Sequence, residues 1–229
     1  MPPRAQARSL TEEAYACLRA DIVAGRFAPG QRLRPTELAT ARGVSLNVVR
    51  EALNRLAGER LVIALPQLGF TVVEASVEDL LDLTDVRVMV ESQALRHSID
   101  RGDLSWESDL VAAHHRLAGT PMMIDGTGEL SDEWMHAHNA FHMATMSGCG
   151  SARLIELAAS LGESAAIYRH LSLQYDHGTR DIAGEHRGIF EATLARDAET
   201  AVRRHADHIR RTAEIVAEAL AAQASSPHR

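Results

Sequence analysis

Four histidines in the second half of the chain have spacings that could gather them around one metal ion. His138 and His142 are four residues apart in a helix predicted near 129–147, so both imidazoles leave the same face. His186 and His208 each lie about ten residues from the turn predicted between the last two helices, so an antiparallel pair puts them at one height. Three or four imidazoles suit Zn, Ni or another borderline divalent ion, and the set therefore predicts a metal site.

The alternative interpretation of these residues is structural. The chain has 12 histidines, all of them after residue 96, so one pair four residues apart is expected by chance. A single histidine on an amphipathic helix is more often a hydrogen-bonded core residue or a surface residue than a metal ligand. From spacing alone, both interpretations stay open.

A second set of polar residues has the pattern of a DNA-reading helix. Ser45 can cap a helix whose buried stripe includes Val49 and Leu53, and Asn47 and Arg50 lie on the opposite face. A recognition helix points its N-terminal end into the major groove, where Arg pairs with guanine or a phosphate and Asn with adenine. The alternative is a solvated polar face. Including the segment before the preceding helix and the tip of a following hairpin, the candidate DNA contacts are Arg34, Ser45, Leu46, Asn47, Arg50, Gln67 and Gly69.

The elements that must position the DNA contacts follow from hydrophobic spacing and turn residues. Helices are predicted at 10–24, at 36–41 with Thr36 as the cap, and from Ser45 onward. The second and third of these helices have the spacing of a helix-turn-helix. Two β-prone runs, 61–65 and 70–73, then predict a hairpin. Residues 1–75 are therefore predicted to be a winged helix-turn-helix domain.

The sequence predicts a short linker at 74–77, and the rest of the chain, assigned as a domain over 76–229, is predicted to be helical throughout. The helices are placed near 78–101, 104–118, 129–147, 151–174, 179–195 and 197–222, with caps at Ser76, Ser105, Ser151 and Asp197. The predicted fold class is mainly α: an N-terminal winged helix-turn-helix with a small β-hairpin, followed by an all-α antiparallel helical bundle.

Composition separates the two predicted domains and excludes several classes of protein. Residues 1–75 carry 10 Arg and 7 acidic residues, a net charge of +3, whereas 76–229 carry 14 Arg and 24 acidic residues, a net of −10. A basic first third suits a polyanion, and an acidic remainder rich in histidine suits metal or proton chemistry. No run of about 18 uncharged apolar residues predicts a membrane span, and the start of the chain lacks an apolar signal region. Two cysteines exclude a disulfide framework, so the expected location is cytoplasmic.

The first third resembles the GntR family of regulators. The resemblance rests on Leu18-Arg19-Ala20-Asp21-Ile22-Val23-Ala24-Gly25-Arg26-Phe27-Ala28-Pro29-Gly30, Thr36-Glu37-Leu38-Ala39, Gly43-Val44-Ser45, Val49-Arg50-Glu51-Ala52-Leu53 and Gly69-Phe70-Thr71-Val72-Val73. In that family the start of the recognition helix and the wing glycine contact operator DNA. The resemblance therefore implies DNA contacts at Arg34, Ser45, Leu46, Asn47, Arg50 and Gly69.

Residues 78–220 resemble the FCD effector domain of the FadR-type branch of that family. The matching segments are Asp85-Val86-Arg87-Val88-Met89-Val90-Glu91, Phe141-His142, Glu185-His186-Arg187-Gly188-Ile189-Phe190 and Asp197-Ala198-Glu199-Thr200-Ala201 with His208. Many such domains hold a metal through one Asp and three His, and the resemblance puts His142, His186 and His208 at the three His positions. His138 stands where Asp is usual, which leaves a site with four nitrogen ligands.

The resemblance also implies a small-carboxylate effector. Arg87 matches a family position that faces the cavity, and its planar guanidinium suits a carboxylate. Arg169 is a second candidate, because it precedes a turn near 176 by about as much as His186 follows it. The alternative for each Arg is a surface salt bridge, for example Arg87 with Glu91 four residues on.

The function that these features predict is a homodimeric transcription regulator, a repressor rather than an enzyme, that binds operator DNA. A small organic acid bound at a Zn or Ni site in the helical domain would control its DNA affinity. One alternative is a metal-dependent all-α enzyme in which an open metal position activates water. Another is a regulator that senses the metal ion itself.

Overall fold

The computed structural model describes residues 9–66, 68–124, 126, 130–176 and 180–225. The chain divides into two compact units, Met1–Ala75 and Ser76–Arg229. Among the described helices, none combines the length and the apolar character needed to cross a bilayer.

The first unit is a small helical domain with a three-stranded sheet. Its elements are α1 (Leu10–Val23), β1 (Arg32–Leu33), α2 (Pro35–Arg42), α3 (Leu46–Gly58), β2 (Val62–Leu65) and β3 (Gly69–Val72). The sheet order is β1-β3-β2 with antiparallel pairing, and Ile63 lies opposite Thr71 in the hairpin. Packing of α1 on α3 buries Leu18, Leu53 and Leu56 completely, and this core fixes the direction of α3.

Two details of the first unit differ from the sequence-based prediction. Strand β1 was not predicted, because two residues are too short to show an alternating pattern. Thr36 is not the cap of α2: the helix begins at Pro35, with Arg34 at the N-cap position and no side-chain cap bond. Proline suits the first helical position because it has no N–H to satisfy and its φ is already helical.

The second unit is all helical. Its elements are α4 (Val77–Arg101), α5 (Leu104–Gly119), α6 (Asp132–Met146), a 3₁₀ turn (Ser147–Cys149), α7 (Ala152–Ser164), α8 (Ala166–Tyr175), α9 (Ile182–Leu194) and α10 (Ala198–Ser225). Its core includes the fully buried Leu95, Leu110, Phe141 and Ile189. The predicted fold class, a winged helix-turn-helix followed by an all-α domain, is confirmed.

The boundaries of the second unit depart from the prediction at two places. The single helix predicted at 151–174 is two helices, because the backbone turns to ψ −3° at Ala165 between α7 and α8. Ala165 is buried and carries no helix-breaking side chain, so tertiary packing produces a break that the local sequence does not signal. Helix α5 is capped by Asp103, which accepts from Trp106 N, and not by Ser105.

Candidate metal centre and nucleic-acid interface

The four histidines lie together inside the second unit. His138 and His142 are on α6, His186 is on α9 and His208 is on α10, and all four are buried. Their candidate ligand nitrogens lie within 4.8 Å of one another. Helix α10 packs along α9, so the antiparallel pair brings His186 and His208 to the same height, with ring centroids 4.7 Å apart.

Two of the separations between ring nitrogens match those of ligands around one ion. Nε2 of His142 is 3.2 Å from Nε2 of His138 and 3.2 Å from Nε2 of His186. Ligand nitrogens about 2.1 Å from a shared ion are separated by about 3.0–3.4 Å. A ring nitrogen carries either a proton or a lone pair, so Nε2 of His142 cannot form a good hydrogen bond to both neighbours. A divalent cation would satisfy all three lone pairs at once, and the residues therefore fit a metal ion.

Burial keeps these imidazoles neutral, which is the form that binds metal. Burial, followed by repulsion from neighbouring positive groups, lowers the pKa of His138, His142 and His208 well below the usual value. Burial likewise lowers the pKa of His186 to about 4, although Glu185 opposes the shift. At neutral pH each ring therefore has an unprotonated nitrogen to offer.

Glu185 and Arg180, two residues that the sequence analysis did not select, form a layer behind His208. Glu185 Oε2 is 2.7 Å from Nδ1 of His208. The Arg180 guanidinium, buried itself, donates to both oxygens of that carboxylate at 2.7 and 2.6 Å. Glu185 could have been suspected from its place beside His186 on the first turn of α9, but nothing in the spacing of Arg180 points to the site.

Arg87 and Arg169, the two candidate effector contacts, line one cavity between α4, α8 and α10, together with Tyr168 and Thr212. The cavity holds about 10 Å³, which is room for roughly one water molecule. Arg169 is buried and donates to Gly162 O at 2.7 Å. Thr212 connects the cavity to the histidines, because its hydroxyl donates to His208 O at 3.1 Å.

Arg87 is also part of a buried ion pair. Its Nε donates to Glu91 Oε1 at 2.7 Å, so the pair expected from the four-residue spacing forms, but inside the protein and not at its surface. His205 Nε2 lies 2.9 Å from the other Glu91 oxygen. Burial raises the pKa of Glu91, but Arg87 and His205 outweigh it and hold that pKa at about 2. The sequence analysis missed Glu91 and His205 as a pair because 114 residues separate them.

The DNA-reading candidates at the start of α3 lie at the surface of the first unit. Ser45 caps α3 by accepting from Val48 N at 3.3 Å, and Asn47 and Arg50 are exposed on the first turns of that helix. Leu46 is half-buried beside them. The first turns of α3 therefore present polar side chains and unpaired helix N–H groups at the surface, as groove or phosphate contact requires.

The wing and the start of α2 supply the remaining candidates. Arg34 is exposed, and its Nη1 donates to Glu37 at 2.8 Å, a surface pair that a phosphate can displace at little cost. Gly69 has φ +94°, and a Cβ there would lie 3.1 Å from Leu33 O, so the wing requires glycine at this position. Gln67, also predicted, lies outside the described residues. Arg32, which was not predicted, anchors the hairpin by donating to Leu68 O at 2.8 Å.

Comparison with protein families matches both units. Residues 10–72 match the family of bacterial regulatory proteins named gntR, and residues 82–211 match the FCD domain. The chain belongs to the GntR family. It is a DNA-binding transcriptional regulator of the GntR type with an FCD domain. The family and its relatives are transcriptional regulators and not enzymes, which rules out the metal-dependent enzyme considered above.

Two curated relatives of this GntR-family regulator match it over most of their length. The uncharacterized HTH-type transcriptional regulator BphR of Paraburkholderia xenovorans is 37% identical over 216 residues, covering 93% of this chain and 88% of that protein. The HTH-type transcriptional repressor GlaR of Escherichia coli is 33% identical over 213 residues, covering 91% of this chain and 96% of that protein.

Solved structures share the same architecture. E. coli McbR/YncC matches with a TM-score of 0.74 at 21% identity, over 93% of this chain and 100% of that one. A transcriptional regulator GntR from Rhodococcus sp. RHA1 matches with a TM-score of 0.69 at 27% identity, over 91% of this chain and 98% of that one. At such identity the likeness to McbR/YncC describes the fold alone.

Proposed function

We propose that this regulator binds operator DNA as a homodimer and that a small organic acid, held at a Zn or Ni ion in the helical unit, controls its DNA affinity. The observation that carries the proposal is the group of four buried, neutral imidazoles whose candidate ligand nitrogens lie within 4.8 Å of one another. We further propose that it acts as a repressor, as its relative GlaR is named. Its place of action is the cytoplasm, where bacterial DNA lies.

The proposed DNA contacts use the exposed end of α3. Arg50 donates to guanine or to a phosphate, and Asn47 bonds adenine in bidentate fashion. Ser45, Leu46 and the free N–H groups of the helix start contact the backbone and neighbouring bases. In a homodimer, two copies of α3 enter successive major grooves of a pseudo-palindromic operator. Arg34 and the wing residues Gln67 and Gly69 add contacts beside the groove.

The proposed effector site joins the histidines to the cavity with two arginines. His138, His142, His186 and His208 hold the ion, which when bound supplies a Lewis-acidic position for a carboxylate. Arg87 and Arg169 add positive charge beside it and favour an anionic ligand. Glu91 engages Nε and one hydrogen of Nη2 of Arg87, so the donors left for an effector are both hydrogens of Nη1 and the second hydrogen of Nη2.

The size of the cavity couples binding to conformation. An acid larger than one water molecule requires the lining side chains, or α4, α8 or α10, to move, and we propose that it binds an expanded state of the cavity better than the one described. Tyr168 lines the cavity and donates to Asp79 at 2.7 Å in the first turn of α4, the helix that follows the linker. Burial and Asp79 raise the pKa of Tyr168, so its phenol stays a donor. We propose that this bond and the segment at 74–76, which precedes α4, transmit the movement.

The test measures affinity for a DNA site selected from a random-sequence library. Metal-free, zinc-loaded and nickel-loaded protein are compared, each with a panel of small mono- and dicarboxylic acids. We expect at least one acid to change the affinity tenfold or more for the metal-loaded protein and none to do so for the metal-free protein. If the ion alone shifts affinity and no acid adds to it, the regulator senses metal. If no ion binds stoichiometrically, the metal-site proposal is wrong.

A further inference from the structure

Nδ1 of His208 lies between a hydrogen-bond acceptor, the carboxylate of Glu185, and a hydrogen-bond donor, the guanidinium of Arg180. The Glu185 carboxylate, 2.7 Å away, can only accept a proton from Nδ1. The Nη2 atom of Arg180, 3.2 Å away, can only donate one. Because Nδ1 is engaged outside the histidine cluster, Nε2 is the nitrogen left for the cluster. If Nδ1 donates to Glu185, Nε2 faces the cluster with a lone pair. If Nδ1 accepts from Arg180, Nε2 faces the cluster with a proton.

The other contacts of Arg180 indicate that Nδ1 of His208 is hydrogen-bonded to Glu185 and not to Arg180. Nη2 carries two hydrogens, and it already has two better acceptors, Glu185 Oε2 at 2.6 Å and His208 O at 2.9 Å. No hydrogen of Nη2 is left for the longer approach to Nδ1. The carboxylate is also an anion at a shorter distance, so Nδ1–H donating to Glu185 is the stronger bond.

We propose that Glu185, held in place by Arg180, fixes His208 in the tautomer with Nδ1 protonated and Nε2 unprotonated toward the cluster. The inference rests on the metal site of the proposed function, for which it names two positioning residues. Arg180 supports the carboxylate at both oxygens, and its third nitrogen donates to Thr212 Oγ1 at 2.9 Å. The guanidinium is therefore fixed on three sides before any ion binds.

His142, another ring of the cluster, lacks a carboxylate of this kind behind it. Nδ1 of His142 is buried without a hydrogen-bond partner among the described residues. The tautomer of His142 is therefore set only by the cluster, whereas that of His208 is set from outside it. A carboxylate behind a ligating imidazole orients the ring and increases its basicity, and its loss typically lowers metal affinity about 10- to 100-fold.

The experiment removes the carboxylate and reads the tautomer directly. In Glu185→Ala, one hydrogen of Arg180 Nη2 loses its acceptor and becomes free to donate to Nδ1 of His208. We expect the ¹⁵N shifts of the His208 ring in metal-free protein to change from the Nδ1-protonated to the Nε2-protonated pattern, assigned with a His208→Gln variant. Zinc affinity should fall about 10- to 100-fold. The double variant with Arg180→Ala removes the competing donor and should return the ring toward a mixture of tautomers.

Two further variants protect the test from simple charge or folding effects. Glu191→Ala removes an exposed carboxylate from the same helix and should leave both the tautomer and the zinc affinity unchanged. Glu185→Gln keeps the size of the side chain and should shift both readouts in the same direction by less. An Nε2-protonated His208 in the unaltered protein, or an unchanged tautomer in both Glu185 variants, would overturn the proposal. Because the tautomer is measured in metal-free protein, it is tested separately from the metal site. A protein that binds no zinc would refute the metal site, and the ¹⁵N shifts would still decide whether Glu185 fixes the tautomer.

Discussion

The histidine cluster and the first turns of α3 differ in how much of each site the chain itself supplies. The cluster is buried, its four rings are in contact, and a further layer of charged groups holds at least one of them. Of the α3 candidates, Ser45, Asn47 and Arg50 are exposed and Leu46 is half-buried, and all four lie in the basic part of the sequence. In the proposed function the first region is prepared for an ion, whereas the second is completed only by DNA, whose phosphates and base edges would supply the missing partners.

This difference predicts where substitutions act. Changes in the buried region should affect ion binding or the stability of the fold, because its side chains are packed, and several are hydrogen-bonded, inside the protein. Changes at Asn47 and Arg50 on α3 should affect DNA affinity and leave stability largely intact, because these side chains are solvated. The four predictions below test that division, beginning with the largest effect.

The largest effect is expected from removing a cluster imidazole. His142→Ala and His208→Ala should each abolish stoichiometric binding of zinc or nickel, measured by calorimetric titration of metal-free protein. The matched control is His136→Ala, since His136 is exposed on the same helix as His142 and contacts the backbone of Asp132. Full retention of metal by either cluster variant would refute the cluster as an ion site.

The next effect concerns the buried carboxylate of Glu91. Glu91→Ala leaves Arg87 buried without its anion, so the free energy of unfolding should fall by about 3–5 kcal/mol at pH 7, measured by urea denaturation. Asp85→Ala, an exposed change on the same helix, is the control.

The folded pKa of Glu91 is lowered to about 2, so its stabilising effect is present above the unfolded value of about 4.5 and is lost as pH falls toward 2. The difference between Glu91→Ala and the unaltered protein should shrink over that range, and a constant difference would contradict the assignment.

A smaller effect is expected on the DNA side. Arg50→Ala should weaken operator binding by about 1–3 kcal/mol if the guanidinium makes a bidentate base contact, with unchanged unfolding. Fluorescence anisotropy on operator and random DNA measures it, with Arg153→Ala on the exposed surface of α7 as control. An equal loss on both DNAs would mean that Arg50 contacts only phosphate.

The smallest effect compares two helix caps, one in each unit. Ser45 accepts from Val48 N at 3.3 Å and Ser151 accepts from Leu154 N at 3.4 Å, so each alanine variant should lose about 1 kcal/mol of stability. Only Ser45→Ala should also weaken DNA binding, because its hydroxyl and the N–H groups it caps lie at the proposed phosphate contact. Equal DNA affinity for the two variants would contradict a DNA contact at Ser45.

Much of this could be predicted from sequence because it depends on local periodicity. Spacing of four within a helix placed His138 and His142 on one face, and equal distances from one turn placed His186 and His208 at one height, but spacing alone left open whether the two pairs meet. Capping residues, a glycine turn and a hairpin likewise predicted the winged domain. Each of these signals lies within a short segment of chain.

The parts that were missed depend on long-range contacts. Glu91 meets His205 across 114 residues, and Arg180 reaches Glu185 and His208 from the segment before α9. No local pattern encodes these pairs. The break at Ala165 is similar, since packing ends α7 where the sequence would permit a continuous helix.

The central claim is that four imidazoles from three helices hold one divalent ion inside a DNA-binding regulator. X-ray absorption spectroscopy of the zinc-loaded protein tests it most directly. The account predicts nitrogen nearest neighbours at about 2.0–2.1 Å with the outer-shell scattering of at least three imidazole rings. A first shell that contains sulfur, or the scattering of fewer than three rings, would contradict it.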